Sequence, residues 1–461
     1  MDIKIYGPPG TGKTTFLLQR VEEALKVYAP EEIAFVSFTR KGAYEGALRA
    51  KQRLGISPSR MQYFKTIHAL CFAQLGLRKS QVLVRKHYRQ FSEAVGFNFL
   101  GFYSEELRSN DDKYLFTAQM AHNNPALCKT LIDELDASKL WFIAHNYHRY
   151  KQTMGLLDYT DMLTEYVKRG SALPVKIAFV DEAQDLTPLQ WNVVNKMFSG
   201  CDTVYIAGDD DQSIYEWAGA DTRTFLHRGD KVHVLNQSHR VPVSVHALAS
   251  GMLNCITERA EKLYNPRQEQ GLVDRVTAWN TIDYTEYADT LVLARNRCFL
   301  KKAVAALRAQ GILYWDKDKP SADSKVFNAI QAYEAFRRSP GDAEAEHRAK
   351  LYADYFVTLT SSEPWYSVMS LNADDVAYYR ALLSRGVTKD DKPTVRVSTI
   401  HASKGAEADH VVLALDMTER VHRHYTYASD SEWRCLYVGA TRTKQKLTLK
   451  LQDGRYGYPI P

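Results

Sequence analysis

Short apolar runs alternate with amphipathic stretches of helical period over much of the chain, and two longer polar, helix-patterned stretches interrupt that alternation. Ile3-Lys4-Ile5-Tyr6, Ile33-Ala34-Phe35-Val36-Ser37-Phe38 and Tyr63-Phe64-Lys65-Thr66-Ile67-His68 predict strands, with helices over Thr15 to Tyr28 and Lys41 to Leu54 between them. Residues 78 to 170 are mostly helical in period, with many aromatics and charges and no clear buried strand, and predict an insertion. Lys176 to Val180 and Thr203 to Gly208 then return to strand patterning. A second unit follows, with Thr290 to Ala294 as a strand and Phe299 to Gln310 as a helix that stops at Gly311. Residues 316 to 392 turn polar and helical, with Ser339-Pro340-Gly341-Asp342 as a loop, before Val395 to Thr399 and Val411 to Leu415 resume the strands. Strands alternating with helices predict an α/β fold with parallel sheets, each unit carrying a helical insertion.

Polar clusters stand where these strands end. Ile3 to Tyr6 runs into Gly7-Pro8-Pro9-Gly10-Thr11-Gly12-Lys13-Thr14, which fits the G-x-x-x-x-G-K-[ST] template of a phosphate-cradling loop. A strand that ends in such a turn and opens a helix aims backbone N–H groups and the positive end of the helix dipole at one point. Lys13 would reach the outer phosphates of a nucleoside triphosphate, and the Thr14 hydroxyl would ligate the bridging magnesium. Asp181-Glu182-Ala183-Gln184 and Asp209-Asp210-Asp211-Gln212 stand at the carboxyl ends of two further strands, where open α/β folds place their chemistry. Asp181 is suited to hold magnesium, usually through water, and Glu182 to orient or deprotonate an attacking water. The bland alternatives are a glycine-rich strand–helix turn and a pair of acidic residues at a helix N-terminus, and the presence of both features together favours the nucleotide reading.

Composition changes this picture little. The 461 residues suffice for about three domain-sized units, and 45% hydrophobic and 25% charged residues are ordinary for a globular protein. The net charge of +6 permits a polyanionic partner without requiring one. No apolar run has the length of a membrane span, and the chain opens directly on a strand, so a cytoplasmic protein with no membrane partner is expected. Six scattered cysteines lack any C-x-x-C pairing and suggest neither a zinc site nor a disulfide framework. His145 and His148, with His122 upstream, read as solvated helix histidines.

Several stretches resemble the motifs of superfamily 1 helicases of the UvrD/Rep/PcrA type. Gly7 to Thr14, Val180 to Asp185 and Gly208-Asp209-Asp210-Asp211-Gln212-Ser213-Ile214-Tyr215-Glu216-Trp217-Ala218-Gly219-Ala220 look like motifs I, II and III. Phe38-Thr39-Arg40-Lys41 resembles motif Ia and Thr66-Ile67-His68 motif Ib, and Leu157 to Leu163 resembles the segment that re-enters the first domain. Gln237-Ser238-His239-Arg240 resembles motif IV, Val397 to Val412 with Ser403 to Glu407 motif V, and Tyr437 to Arg442 motif VI. The resemblance implies two RecA-like parallel-sheet P-loop NTPase domains. Residues 1–77 and 166–245 would form the first, with the helical insertion 78–165. Residues 246–315 and 393–461 would form the second, with the small insertion 316–392.

By the same resemblance, Gly7, Pro8, Pro9, Gly10, Thr11, Gly12, Lys13, Thr14 and Thr15 would bind ATP, with Mg2+ on Thr14 and Asp181. Gln212 would sense the γ-phosphate and the water, Arg240 and Arg442 would reach the γ-phosphate, and Glu407 would bond the ribose. Lys13, Asp181, Glu182, Gln212, Arg240 and Arg442 are thus the candidate catalytic residues. Trp217 and Phe38 match aromatics that stack on single-stranded bases, with core packing as the alternative for each, and Thr66, His68, Thr399 and His401 are candidate phosphate contacts. Lys41, Arg420 and Arg423 would add screening-sensitive attraction.

The implied activity is that of an ATP-dependent translocase on single-stranded DNA and a helicase of 3′–5′ polarity. The alternatives are a translocase that strips proteins from DNA without unwinding it, and a nucleotide-gated DNA-binding module. Single-stranded and tailed duplex DNA would be its partners, with replication or repair proteins beyond them, and a monomer its acting form. The pattern also departs from the family. No adenine-reading helix precedes Ile3, His239 stands where a tyrosine is usual, and Ala218 replaces an arginine. The second insertion is small, and Gly454 to Tyr458 resembles only the start of a strand-separating hairpin, with Tyr456 as a shortened wedge or part of a frayed tail.

Overall fold

The computed structural model of the chain describes residues 1–37, 48, 51–52, 55–101, 111–427 and 429–460. Phe38 to Lys41, with most of the helix expected after them, lie outside the described residues. The chain divides into two compact units. The first comprises Met1–Arg240, Leu253–Arg267 and Ser429–Tyr437, and the second Val241–Met252, Gln268–Ala428 and Val438–Pro461.

A six-stranded sheet forms the first unit, built from β1 (Asp2–Tyr6), β2 (Ile33–Ser37), β3 (Phe64–Lys65), β4 (Ile177–Asp181), β5 (Thr203–Gly208) and β6 (Lys231–Val234). Its order is β3-β2-β4-β5-β1-β6, and every pairing is parallel. Successive side chains of a strand point to opposite faces, so an all-apolar strand needs cover on both. β2 and β4 meet that need. Ile33, Phe35, Ile177 and Phe179 pack with Leu17, Leu18, Val21 and Ala24 of the helix Lys13–Ala24. Ala34, Val36, Ala178 and Val180 pack on the other face with Leu70, Leu163 and Trp191, from helices Ile67–Gln74, Tyr159–Arg169 and Pro188–Met197.

Two details differ from the expectation. The strand expected over Tyr63 to His68 is only Phe64–Lys65, because the Thr66 hydroxyl accepts a hydrogen bond from the Ala69 N–H (3.4 Å) and opens a helix at Ile67. β6 was not expected: its apolar residues are only Val232 and Val234, and Lys231, Val232 and His233 are exposed on an edge strand.

Within the first unit, residues 78–165 contribute the helices Arg85–Val95, Asp112–Asn123, Pro125–Ile132 and Ala137–Met154. Phe91, Phe99, Tyr114, Leu115, Ile143 and Tyr147 give this region a core of its own. Lys151 sits buried between Asp158 (2.8 Å) and Asp161 (2.6 Å), and the Tyr147 hydroxyl donates to Asp158 (2.9 Å).

The second unit holds seven strands: β7 (Leu272–Val276), β8 (Thr290–Ala294), β9 (Tyr314–Asp316), β10 (Lys319–Pro320), β11 (Val395–Thr399), β12 (Ala408–Ala414) and β13 (Thr443–Lys450). Their order is β10-β9-β11-β8-β12-β13-β7, parallel except for the β9–β10 hairpin. The helices Ser324–Arg338, Trp365–Val368 and Ala373–Ser384 share one core with the sheet, where Phe327, Tyr333, Trp365 and Tyr378 join Val292, Val397 and Val412. β13 escapes sequence patterning because Thr448 and Lys450 are buried beside Leu447 and Leu449. The α/β class with parallel sheets is as expected. Among the described residues no helix is long and apolar enough to cross a membrane.

Candidate nucleotide and nucleic-acid site

Strand order places the loop after β1 beside the carboxyl end of β5, where the Gly7 N–H donates to Gly208 O (3.0 Å). Gly7 has no room for a side chain, because a Cβ there would lie 1.8 Å from Lys13 Cγ. Gly10 has φ +74, and a Cβ on it would lie 2.4 Å from Arg240 Cβ and 2.9 Å from Ser238 Oγ. Thr11 closes the turn by donating its N–H (3.2 Å) and hydroxyl (2.8 Å) to Pro8 O. Gly12, also left-handed, starts the helix that carries Lys13, Thr14 and Thr15. Lys13 Nζ donates to Gly7 O (2.9 Å) and lies 3.9 Å from Glu182 Oε1.

A second segment clasps this loop. Ser238 Oγ donates to Pro9 O (2.7 Å) and the His239 N–H to Gly10 O (2.9 Å), so Arg240 stands next to Gly10. These bonds tie the segment resembling motif IV to the segment resembling motif I within one unit.

The carboxylates lie at the ends of β4 and β5. Thr14 Oγ1 donates to Asp181 Oδ2 at 2.8 Å. Burial pushes the Asp181 carboxyl up to about 6, with Glu182 pushing the same way and Lys13 opposing. Glu182 adopts φ +54, a left-handed conformation that costs a non-glycine residue roughly 1–2 kcal/mol, and its N–H bonds Asp181 Oδ1 (3.0 Å). Gln184 donates to Glu182 Oε2 (2.6 Å) and accepts from the Asp209 N–H (3.1 Å). Gln212 Nε2 donates to Asp209 Oδ2 (2.6 Å). One chain of hydrogen bonds therefore runs from Glu182 to Gln212.

These residues fit a magnesium nucleotide. Thr14 Oγ1 and Asp181 Oδ2 lie together at 2.8 Å, so the hydroxyl could bind an Mg2+ directly and the carboxylate hold it through water. Side chains at Gly7 and Gly10 would run into Lys13 and into Arg240 and Ser238, so only glycine keeps the loop's backbone this close to those groups. Glu182 stands beside Lys13, its Oε1 3.9 Å from the Lys13 ammonium.

The remaining candidates are dispersed. Glu407, Arg442, Thr399 and His401 belong to the second unit. Arg442 is 2% exposed and donates from Nε to Val438 O (3.0 Å), while Glu407 pairs with Lys444 (2.9 Å). Thr399 ends β11, its hydroxyl accepting from the Ala402 N–H (3.3 Å), and His401 follows half-buried in the next turn.

In the first unit, Thr66 caps the helix whose first turn holds His68. Burial pushes the His68 imidazole down to about 4, so near pH 7 it meets any ligand as a neutral ring. His68, Tyr159, Thr160, Thr187, Tyr215 and Ala218 are among the residues lining a cavity of about 170 Å³. Trp217 is half-buried, its ring 6.4 Å from that of Tyr215, whereas Phe38 lies outside the described residues. In the second unit Tyr456 stacks on His422 (4.4 Å), and its carbonyl accepts from the Met417 N–H (3.0 Å), so this tail segment is tied down rather than frayed.

Residues 1–233 match the UvrD/REP helicase N-terminal domain, and residues 376–453 the UvrD-like helicase C-terminal domain. The chain belongs to the UvrD/REP helicase family. Within this family it is similar to the ATP-dependent DNA helicase Rep of Buchnera aphidicola subsp. Baizongia pistaciae (strain Bp), 24% identical over 60% of the chain and 45% of that protein. It is likewise 24% identical to the ATP-dependent DNA helicase Rep of Escherichia coli (strain K12), over 97% of the chain and 88% of that protein. The ATP-dependent DNA helicase PcrA of Staphylococcus epidermidis (strain ATCC 12228 / FDA PCI 1200) is 22% identical over 66% of the chain and 45% of its own length. The chain thus spans less than half the length of two of these three relatives. Among solved structures, arterivirus nonstructural protein 10, a helicase, is similar at a TM-score of 0.38 and 12% identity, over 97% of the chain and 59% of that protein.

Several residues that build this site were not among the expected site residues. Ser238 and Gln184 lie inside the segments resembling motifs IV and II without a role assigned to them, and Arg259 and Lys262 lie outside every motif segment. Ser238 holds the phosphate loop, Gln184 joins Glu182 to Asp209, and Arg259 and Lys262 face the three consecutive aspartates. The aspartates themselves are the sequence signal, since three carboxylates at a buried strand end require cations from elsewhere in the chain.

Proposed function

We propose that the chain is an ATP-dependent translocase on single-stranded DNA that separates duplex strands, with 3′–5′ polarity and Mg2+ as its metal. The observation that carries this reading is the hydrogen-bonded path from the phosphate loop through Asp181, Glu182 and Gln184 to Gln212, with Arg240 held against Gly10. Thr14 and Asp181 would hold the Mg2+, which would neutralise charge on the phosphates. Lys13 binds the phosphates, Glu182 takes or orients the water's proton, and Gln212 and Arg240 report the γ-phosphate in this assignment. Glu407 and Arg442 keep the ribose and γ-phosphate roles that the family resemblance implies. Arginines that stabilise transferring phosphoryl groups contribute about 10³–10⁵ in rate.

DNA is the proposed polymer because the similar Rep and PcrA proteins are named DNA helicases. Trp217, Phe38, Thr66, His68, Thr399 and His401 are the proposed contacts, with stacking as the sequence-tolerant part. The domain division 1–77/166–245 and 246–315/393–461, with insertions 78–165 and 316–392, the monomeric acting form and a cytoplasmic setting belong to the same proposal. A strand-displacement assay on 3′-tailed, 5′-tailed and blunt DNA, with ATP and with GTP, tests it. Separation from the 3′ tail alone, with ATP, is the expected result. DNA-stimulated hydrolysis without separation from any substrate would favour a translocase that strips proteins. Glu182→Gln should lower DNA-stimulated hydrolysis by about 10²–10⁴-fold, and hydrolysis that survives this change would remove Glu182 from its role.

A further inference from the structure

Three consecutive carboxylates, Asp209, Asp210 and Asp211, are buried at the end of β5 at 0–1% exposure. Their countercharge comes from the segment Leu253–Arg267. The Lys262 side chain, 1% exposed, places Nζ 3.3 Å from Asp209 Oδ1, 2.6 Å from Asp210 Oδ1 and 2.7 Å from Asp211 Oδ2. Arg259 forks onto Asp211 with two bonds of 2.9 and 2.8 Å, and the Ala260 N–H bonds Asp210 Oδ2 (2.8 Å). Asp209 has a second duty, because its Oδ2 accepts the Gln212 side-chain amide at 2.6 Å while its Oδ1 faces the lysine. Its N–H also bonds Gln184, which bonds Glu182. The lysine therefore holds a carboxylate whose other oxygen holds the γ-phosphate sensor and whose backbone leads to the candidate base.

We propose that Lys262 is a positioning residue for nucleotide hydrolysis: it keeps Asp209 as a fixed acceptor, and Asp209 in turn aims the Gln212 amide. This rests on the assignment of Gln212 made above. A buried ammonium shared by three carboxylates sets both their charge and their geometry. Without it, the mutual repulsion of the aspartates is relieved by movement or protonation. A protonated or rotated Asp209 no longer holds the Gln212 Nε2 donor in the same place.

Lys262→Met alone leaves three carboxylates facing one arginine and risks failure to fold. The informative variant is Lys262→Met combined with Asp210→Asn, which removes one charge of each sign and leaves the local sum as it was. Asp210 bonds Lys262 and Ala260 and makes no bond to Gln212 among those resolved. The double variant should fold and bind ATP within about threefold of the parent, while its DNA-stimulated kcat falls about tenfold or more. Asp210→Asn alone serves as the control for the removed carboxylate. A double variant with kcat within about twofold of the parent would show that Lys262 only balances charge, and would overturn the proposal. A crystal structure of the double variant gives a readout independent of activity. Gln212 is expected to leave Asp209, and a Gln212 amide still bonded to an unmoved Asp209 would overturn the inference even if the parent hydrolysed nothing. An inactive parent would instead remove the proposed function.

Discussion

The two units are built on the same plan, a mostly parallel sheet covered by helices, yet they bury different things. At the strand ends of the first unit the interior is charged: Asp181, Asp209, Asp210, Asp211 and Lys262 are all removed from water, and each is held by a hydrogen bond or ion pair. Around the second sheet the interior is aromatic, with Tyr284, Phe327, Tyr333, Trp365 and Tyr378 closed over the strands, and its small insertion shares that core. Buried charge is costly unless paired. The second unit also buries Arg295, Asp416, Arg442 and Lys450. Among the described residues, however, the first unit gathers three consecutive aspartates around one lysine, which makes its strand ends the candidate place for a charged ligand. The insertions differ in the same sense. Residues 78–165 have a core of their own, whereas the helices between 316 and 392 are part of the sheet's core and cannot separate from it without exposing aromatics to water.

The largest expected effect separates the units by function. Lys13→Ala should weaken ATP binding by about a hundredfold or more, read by titration with a fluorescent nucleotide, while leaving the folded state intact. Unaltered affinity would mean that the charged interior is not the nucleotide site. Tyr333→Ala should do the reverse. It empties the shared core and removes hydroxyl bonds to Thr360 O (2.6 Å) and Glu363 O (2.8 Å), lowering stability by about 3–5 kcal/mol in a denaturant titration. Loss of nucleotide affinity in the folded fraction of that variant would break the contrast.

A smaller effect concerns pH. Burial pushes the His410 imidazole of the second unit down to about 4, against about 6.5 in an unfolded chain. The unfolded chain binds the proton more readily, so this contribution to stability is complete above pH 6.5 and is lost as pH falls from there towards 4. The loss is on the order of 3 kcal/mol at the acid end. His410→Gln should flatten that part of the stability curve relative to the parent. A curve that keeps its slope would assign the acid sensitivity to other groups. Smallest is Trp217→Ala, which should weaken single-stranded DNA binding by about 1–3 kcal/mol with little effect on ATP affinity. An unchanged DNA affinity in a fluorescence-anisotropy titration would return Trp217 to a packing role.

Local sequence determined much of this protein. The loop Gly7 to Thr14, the strands with both faces apolar and the acidic strand ends are legible because their chemistry is set by neighbours in the chain. Elements whose burial depends on distant partners were not legible. β13 is half polar and reads as surface, yet it lies inside a sheet, between β12 and β7. Tyr63 to His68 has strand patterning, but the Thr66 cap turns it into a helix after two residues of strand. Only the tertiary structure joined Ser238 to the phosphate loop and Lys262 to Asp209, Asp210 and Asp211, across 229 residues in the first case and 53, 52 and 51 in the second. The physical reason is that a buried carboxylate fixes the need for a cation but not its address. Chain topology alone decides which lysine arrives.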